Sequence, residues 1–250
     1  MQDSLGDRMK GNYENITRMF LPRRTYTIIR LDGKAFHTFT RGLDKPWDKD
    51  LIDIMNDTMK YLCGQIQGAV IGYTQSDEIS IIMTDFEKHD TDAWYGGNIQ
   101  KIVSVAASMA TYAFNTHAAN VGNKFLGKVG LFDARTFTIP SRTEVINYLV
   151  WRQKDAERNS VQMLAQSMFS QKKLHGKNIE AQKEMCAKEG NDWEEVAVDK
   201  RGRILFNQFE WKMSADTFEE PYKEKEWIFG DAPIFTECRI KFDNILPTLE

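Results

Sequence analysis

The chain has 250 residues, enough for one large domain or two small ones with a sizeable core. Hydrophobic residues make up 42% and charged residues 28%, the balance of an ordinary soluble globular protein, and no run is apolar and long enough to span a bilayer. The net charge of −3 argues against gripping nucleic acid by bulk charge, so basic surface must be gathered locally and some acids need another task, such as holding metal ions.

Residues 1–16 are polar and lack the apolar centre of a signal peptide, so a cytoplasmic protein with no membrane partner is expected. Cys63, Cys186 and Cys238 are odd in number, widely spaced and without a C-x-x-C, which argues against a disulfide framework or a cysteine-rich zinc site.

Taken in order, Tyr26-Thr27-Ile28-Ile29-Arg30-Leu31 has the β-branched and aromatic composition of a strand and stops at Asp32-Gly33. After Pro46, the residues Leu51, Ile54, Met55, Met59 and Leu62 fall at helical spacing, with Asp48 or Asp50 placed to serve the first turn. Residues 69–73 and 79–83 read as two strands, with Thr74-Gln75-Ser76-Asp77-Glu78 as the hairpin tip between them. Residues 99–117, rich in Ala, Met and Val, read as a well-buried helix, and residues 127–139 as a further strand stopped by Pro140.

Beyond Pro140, residues 144–169 are helical in pattern and residues 172–189 form a second, strongly charged helical candidate. The runs Val196-Ala197-Val198 and Arg203-Ile204-Leu205-Phe206 suggest a strand pair around Lys200-Arg201-Gly202-Arg203, and the final 40 residues, with Trp211, Trp227 and Phe229, show no clear element order. The expected fold class is α+β. Residues 1–140 form a ferredoxin-like palm, a β-α-β-β-α-β antiparallel sheet with helices on one face, and residues 141–250 a mainly helical region with a short strand pair. In the usual wiring of that unit the first and third strands are central antiparallel neighbours. Asp32 and Asp77 then lie side by side.

Asp32 at a strand end, followed by Gly33, is a good place for a hard cation, although Asp-Gly alone is also a common turn. The peptide N–H groups that follow can meet phosphate oxygens if the loop opens a helix. Ser76-Asp77-Glu78 alone reads as a solvated hairpin tip. Brought together, these carboxylates would suit two Mg²⁺ ions about 4 Å apart, the arrangement for nucleotidyl transfer. On a helix, Arg152, Asp155 and Asn159 share a face, which by spacing alone is a salt-bridged solvent face. Candidate basic clusters are short: Arg23-Arg24, Lys124, Lys128, Lys172-Lys173, Lys177 and Lys200-Arg201-Arg203. No P-loop and no H-E-x-x-H spacing occurs.

Five blocks carry a resemblance to a known family. They are Ile29-Arg30-Leu31-Asp32-Gly33-Lys34-Ala35-Phe36-His37-Thr38-Phe39, Lys45-Pro46-Trp47-Asp48, Tyr73-Thr74-Gln75-Ser76-Asp77-Glu78-Ile79-Ser80, Phe132-Asp133-Ala134-Arg135 and Tyr148-Leu149-Val150-Trp151-Arg152-Gln153-Lys154-Asp155. In order and spacing they resemble the histidine-tRNA guanylyltransferases, the 3′–5′ reverse polymerases. The resemblance implies a polymerase-like palm, template-guided nucleotide addition to the 5′ end of tRNA, ATP and GTP or another NTP as substrates, two Mg²⁺ ions and a homotetramer. By position it implies Asp32, Asp77 and the Gly33 carbonyl as metal ligands, with Glu78 as acidic support. Asp32, Gly33, Lys34, Ala35, Phe36, His37, Ser76 and Asp77 would line the nucleotide site, Lys45 would contact the triphosphate, and Arg152 and Asn159 are possible tRNA or nucleotide contacts. Where the eukaryotic branch has His-Ile-Asn-Asn, this chain has Glu157-Arg158-Asn159-Ser160, closer to the bacterial and archaeal guanylyltransferase-like proteins that repair truncated tRNA 5′ ends.

Other classes remain open from the residues alone. A palm-type nucleotide cyclase shares the sheet and acidic hairpin. A non-catalytic RNA-recognition module shares the element order, but its strands would carry stacking aromatics where these carry acids and aliphatics.

Overall fold

The computed structural model describes residues 4–197, 199–212, 222–238, 242 and 245–248. In chain order its elements are α1 (Leu5–Met9), β1 (Tyr26–Gly33), α2 (Phe36–Phe39), α3 (Lys49–Gln65), β2 (Ala69–Gln75), β3 (Glu78–Met83), α4 (Ile99–Asn120) and β4 (Phe132–Ile139). There follow α5 (Arg142–Met168), α6 (Gln171–Leu174), α7 (Ile179–Lys188), α8 (Trp193–Val196), β5 (Arg203–Lys212) and β6 (Tyr222–Asp231).

The six strands form one antiparallel sheet in the order β4-β1-β3-β2-β5-β6, so β1 and β3 are central neighbours. All six residues of β3 are buried, an uninterrupted apolar pattern expected only where both faces of a sheet are covered. The two palm helices, α3 and α4, cover one face, packing Met55, Met59, Leu62, Ala106, Ala110 and Phe114 on Ile29, Leu31, Ile79 and Ile81. The opposite face is closed by the N-terminal half of α5, whose Val145, Ile146, Tyr148 and Leu149 pack on Tyr26, Ile28, Ile71, Tyr73 and Ile82. Helices on one face therefore describe the palm unit alone, and one apolar cluster draws on both sides of residue 140. The far half of α5 leaves the sheet and builds a third cluster with Cys186 of α7 and Trp193 of α8, whose Nε1 donates to Ser160 Oγ at 3.0 Å.

Helix starts follow local chemistry. Asp48 caps α3, its Oδ1 accepting from Leu51 N at 3.0 Å, and Asp50 lies in the first turn. Asn98 caps α4 and Ser141, directly after Pro140, caps α5.

Three expectations are corrected. The strand expected over residues 127–139 begins only at Phe132, because the Asn115 side chain takes both backbone groups of Gly130, at 2.9 and 2.7 Å. The helix expected over residues 172–189 is broken into α6 and α7 around Gly176, whose φ is 72°. The strand pair does not close around residues 200–203. Val196 instead ends α8, and Val198 lies outside the described residues. A turn at Asp199–Gly202 leads into β5, which adds to β2 through Arg203↔Thr74 to Phe206↔Ile71 and pairs on its other side with β6. Gly202, at φ 79°, permits this close approach, since a Cβ there would lie 2.5 Å from Thr74 O. The end of β5 and all of β6 lie in the stretch in which the sequence showed no element order.

Candidate active site

The site forms where the C-terminal end of β1 meets the β2–β3 hairpin. Antiparallel register sets Asp32 opposite Glu78, and Gly33 N donates to Asp77 O at 3.0 Å, tying the hairpin tip to the strand end. Ser76-Asp77 is the two-residue loop. Ser76 adopts a left-handed φ of 52°, and its Oγ donates to Asp77 Oδ1 at 3.2 Å. Burial pushes the Asp77 carboxyl up from the ordinary aspartate range, and the negative charge of Asp32 adds to this. Hydrogen bonds from its own backbone and from Ser76 offset only part. The two acids thus meet as the topology requires.

Glu78 has a different environment. Both its oxygens accept from Arg152, at 2.6 Å from Nε and 2.7 Å from Nη2, and Arg30 Nε lies 4.0 Å away. Burial pushes the Glu78 carboxyl up, and Arg152 and then Arg30 take back part of that rise. Arg152 also donates to Asp155 at 2.8 Å and is itself buried. Its guanidinium is spent inside the protein, so the structure provides no open face for the tRNA or nucleotide contact expected of it. Asn159 is half-buried, seven residues further along α5, about 10 Å by helical rise.

The residues after Asp32 divide by burial. Gly33 is required because a Cβ would sit 2.4 Å from the Phe36 ring. Phe36 is core, stacked on Phe39 and edge-on to Phe114 at 5.3 Å, which makes it a scaffold for the loop. Lys34 N is taken by Leu131 O at 2.8 Å, and Ala35 turns the chain at φ 55° into α2. The Lys34 and His37 side chains are exposed. Lys45 is exposed on the next loop, which is fastened by Lys124. That ammonium reaches Asp48 and Asp50 at 2.7 Å and Asp44 at 3.2 Å.

Three residues at the site were quoted in sequence motifs without a role. Arg30 lies two positions before Asp32 and so on the same strand face. Arg135 of β4 approaches Asp32 at 3.8 Å and Asp133 at 3.5 Å. Trp151 covers Arg30 and Arg152. For Arg30 and Arg135, polar residues recurring with period two in otherwise apolar strands were the available signal.

Most expected basic clusters are occupied. Arg23 pairs with Asp85 at 2.5 Å, and Arg24 donates to His89 O at 2.5 Å. Lys128 donates to Phe39 O and Arg41 O, Lys200 pairs with Glu194, Arg201 with Glu157 and Glu194, and Arg203 with Asp199 and Asp231.

Among the described residues there is no cluster of three or more His, Cys, Asp or Glu that could hold a metal ion. The donor set at the hairpin is two carboxylates and nearby backbone carbonyls, all hard oxygens, where burial first and then the Asp32 charge lift Asp77. That fits Mg²⁺, which habitually takes one or two carboxylates and completes its shell with phosphate oxygens and water. Among the described residues no helix is long and apolar enough to cross a membrane.

The geometry agrees with comparisons to known proteins. Residues 6–140 match the family described as Thg1: tRNAHis guanylyltransferase. Two solved structures of a bacterial tRNA(His) guanylyltransferase (Thg1)-like protein superpose over almost the whole chain. The complex with ATP has a TM-score of 0.81 and 38% identity, covering 96% of this chain and 97% of that one. The complex with GTP has a TM-score of 0.77 and 37% identity, covering 97% and 99%. The tRNA(His) guanylyltransferase of Schizosaccharomyces pombe is 32% identical over 151 residues, 60% of this chain and 55% of that protein. A palm sheet with its paired acids at the β1 end, and a family match spanning that whole palm, lead to one conclusion: this chain belongs to the tRNAHis guanylyltransferase (Thg1) family of nucleotidyltransferases.

Proposed function

We propose that the protein adds nucleotides to the 5′ end of tRNA in the 3′–5′ direction, guided by pairing with the opposite strand, and that its task is repair of shortened 5′ ends. The observation that carries this reading is the juxtaposition of Asp32 and Asp77 at one sheet end. Glu157-Arg158-Asn159-Ser160, without the histidine of the eukaryotic block, favours repair over a dedicated histidine-tRNA role.

In the proposed cycle the 5′-monophosphate oxygen of the RNA attacks the α-phosphorus of ATP and pyrophosphate leaves. The 3′-hydroxyl of an incoming NTP then attacks the activated 5′ phosphate and AMP leaves. A 5′-triphosphate end skips the first step and loses pyrophosphate in the second. Asp32, Asp77 and the Gly33 carbonyl would hold two Mg²⁺ ions, which supply charge stabilisation on the attacking and leaving oxygens when bound. The chain's own residues do the rest. Ser76 and the Gly33 N–H hold Asp77 in place. The Ala35 turn opens α2 toward the phosphates, and Lys34, His37 and Lys45 offer exposed donors to them. The Arg152–Glu78 pair fixes α5 against β3.

The test is a tRNA lacking its 5′-terminal nucleotide, incubated with Mg²⁺, ATP and each labelled NTP. Template-matched 5′ extension is expected, and Asp32→Ala or Asp77→Ala abolishes it with the fold intact. Near wild-type rate in either variant sinks the metal assignment. NTP consumed without RNA moves the reading to a cyclase.

A further inference from the structure

Trp151 is 53% exposed although it sits on the part of α5 that closes the sheet. The Arg152 guanidinium lies 4.5 Å and that of Arg30 5.7 Å from the indole centroid, and Tyr148 meets the ring edge-on at 5.9 Å. Both guanidiniums also approach the buried Glu78 carboxylate, at 2.6 Å for Arg152 and 4.0 Å for Arg30. The indole is thus held by two cations and a tyrosine ring while about half of it stays open to solvent. Arg30 precedes Asp32 by two residues on the same face of β1, about 7 Å along the strand. A half-exposed indole therefore stands within the span of one nucleotide from the carboxylate pair.

We propose that Trp151 is the stacking platform for the base of a nucleoside triphosphate whose phosphates lie at Asp32 and Asp77. The proposal rests on the function given above. The nucleotide is favoured over an RNA strand because most of the basic clusters that the sequence offered, among them Arg23, Arg24, Lys124, Lys128, Arg201 and Arg203, are paired within the protein. Stacking accepts any base, which suits an enzyme whose base choice comes from a template strand. It also explains an aromatic held by charge rather than buried as core.

The experiment compares wild type, Trp151→Phe and Trp151→Leu, all as the full chain. Calorimetry measures Mg²⁺-dependent binding of GTP and of inorganic tripolyphosphate, which has phosphates but no base, and thermal unfolding checks the fold. The Leu variant covers Arg30 and Arg152 but has no π-face. It is expected to weaken GTP binding by roughly 5- to 100-fold and to leave tripolyphosphate unchanged, while the Phe variant keeps most of the GTP affinity. GTP binding by the Leu variant at wild-type strength overturns the proposal. So does loss of GTP and tripolyphosphate together, which would make Trp151 a prop for the arginines. A raised KM for shortened tRNA with unchanged GTP binding also overturns it and assigns the ring to the RNA end. Wild type binding neither probe refutes the nucleotide site itself, and with it the platform.

Discussion

At the scale of the residue, neighbouring acids have been given different tasks by their surroundings. Asp32 and Asp77 act on each other as like charges, whereas Glu78, one position on, has both oxygens taken by a buried arginine. Removing one partner of such a pair leaves a buried charge alone, so Arg152→Ala is expected to cost about 3–5 kcal/mol in urea unfolding. Asp32→Ala, at a partly open position, should change stability far less while removing activity. A second buried acid gives a pH signature. Burial pushes Asp199 up to about 7 from 3.8, against the pull of Arg203 at 3.3 Å. A carboxyl raised by folding contributes stability fully below its unfolded value and loses it as pH rises through about 7. Asp199→Asn, which tolerates the φ of 57°, should therefore gain on wild type in thermal midpoint between about pH 4 and 7. A constant difference across that range would show that Asp199 stays ionised in the fold.

At the scale of the element, the start of α3 and the loop bearing Lys45 act as one piece. Burial alone would raise Asp48, but hydrogen bonds from Lys124, Asp44 N and Leu51 N together hold it below its ordinary value. A depressed carboxyl contributes stability above its unfolded value and loses it as pH falls. Lys124→Met should therefore lower the thermal midpoint at neutral pH, with the gap to wild type closing in acid. If the Lys45 loop serves the triphosphate, the same variant raises the KM for NTP more than it lowers kcat. Much of this level was legible beforehand. The strand at Tyr26–Gly33, the helix after Pro46 and the hairpin around Ser76-Asp77 follow from period-two and period-3.6 patterns with their caps. The shortened β4 was not legible, because Asn115, on a different element, removed the backbone groups that a longer strand needs.

At the scale of the molecule, a net acidic chain has to act on a polyanion. Pairing of most basic clusters within the protein leaves exposed Lys172, Lys173 and Lys177 as the larger part of what the expected clusters offer to solvent. Assembly of several copies would gather more, and we propose the homotetramer that the family resemblance implies. Exposed Leu5, Met9, Tyr13, Ile16, Met19 and Phe20 near the N-terminus support it, as large apolar side chains left open in an otherwise polar segment favour a partner surface. Light scattering after size exclusion should give about four times the 28.9 kDa chain mass, and a monomer at working concentration would refute it.

By itself the sequence determined the palm order, the two acids at its strand end and hairpin, and the five blocks that resemble the family. Each is written in short-range patterns that local chemistry reads directly. Only the tertiary structure decided that Glu78 belongs to Arg152, that α5 closes the second face, that β5 and β6 extend the sheet, and that Trp151 stays open above two arginines. These depend on which distant elements meet. A buried charge or an unpaired strand edge takes whichever partner the closed chain brings within reach, and no local period records that choice.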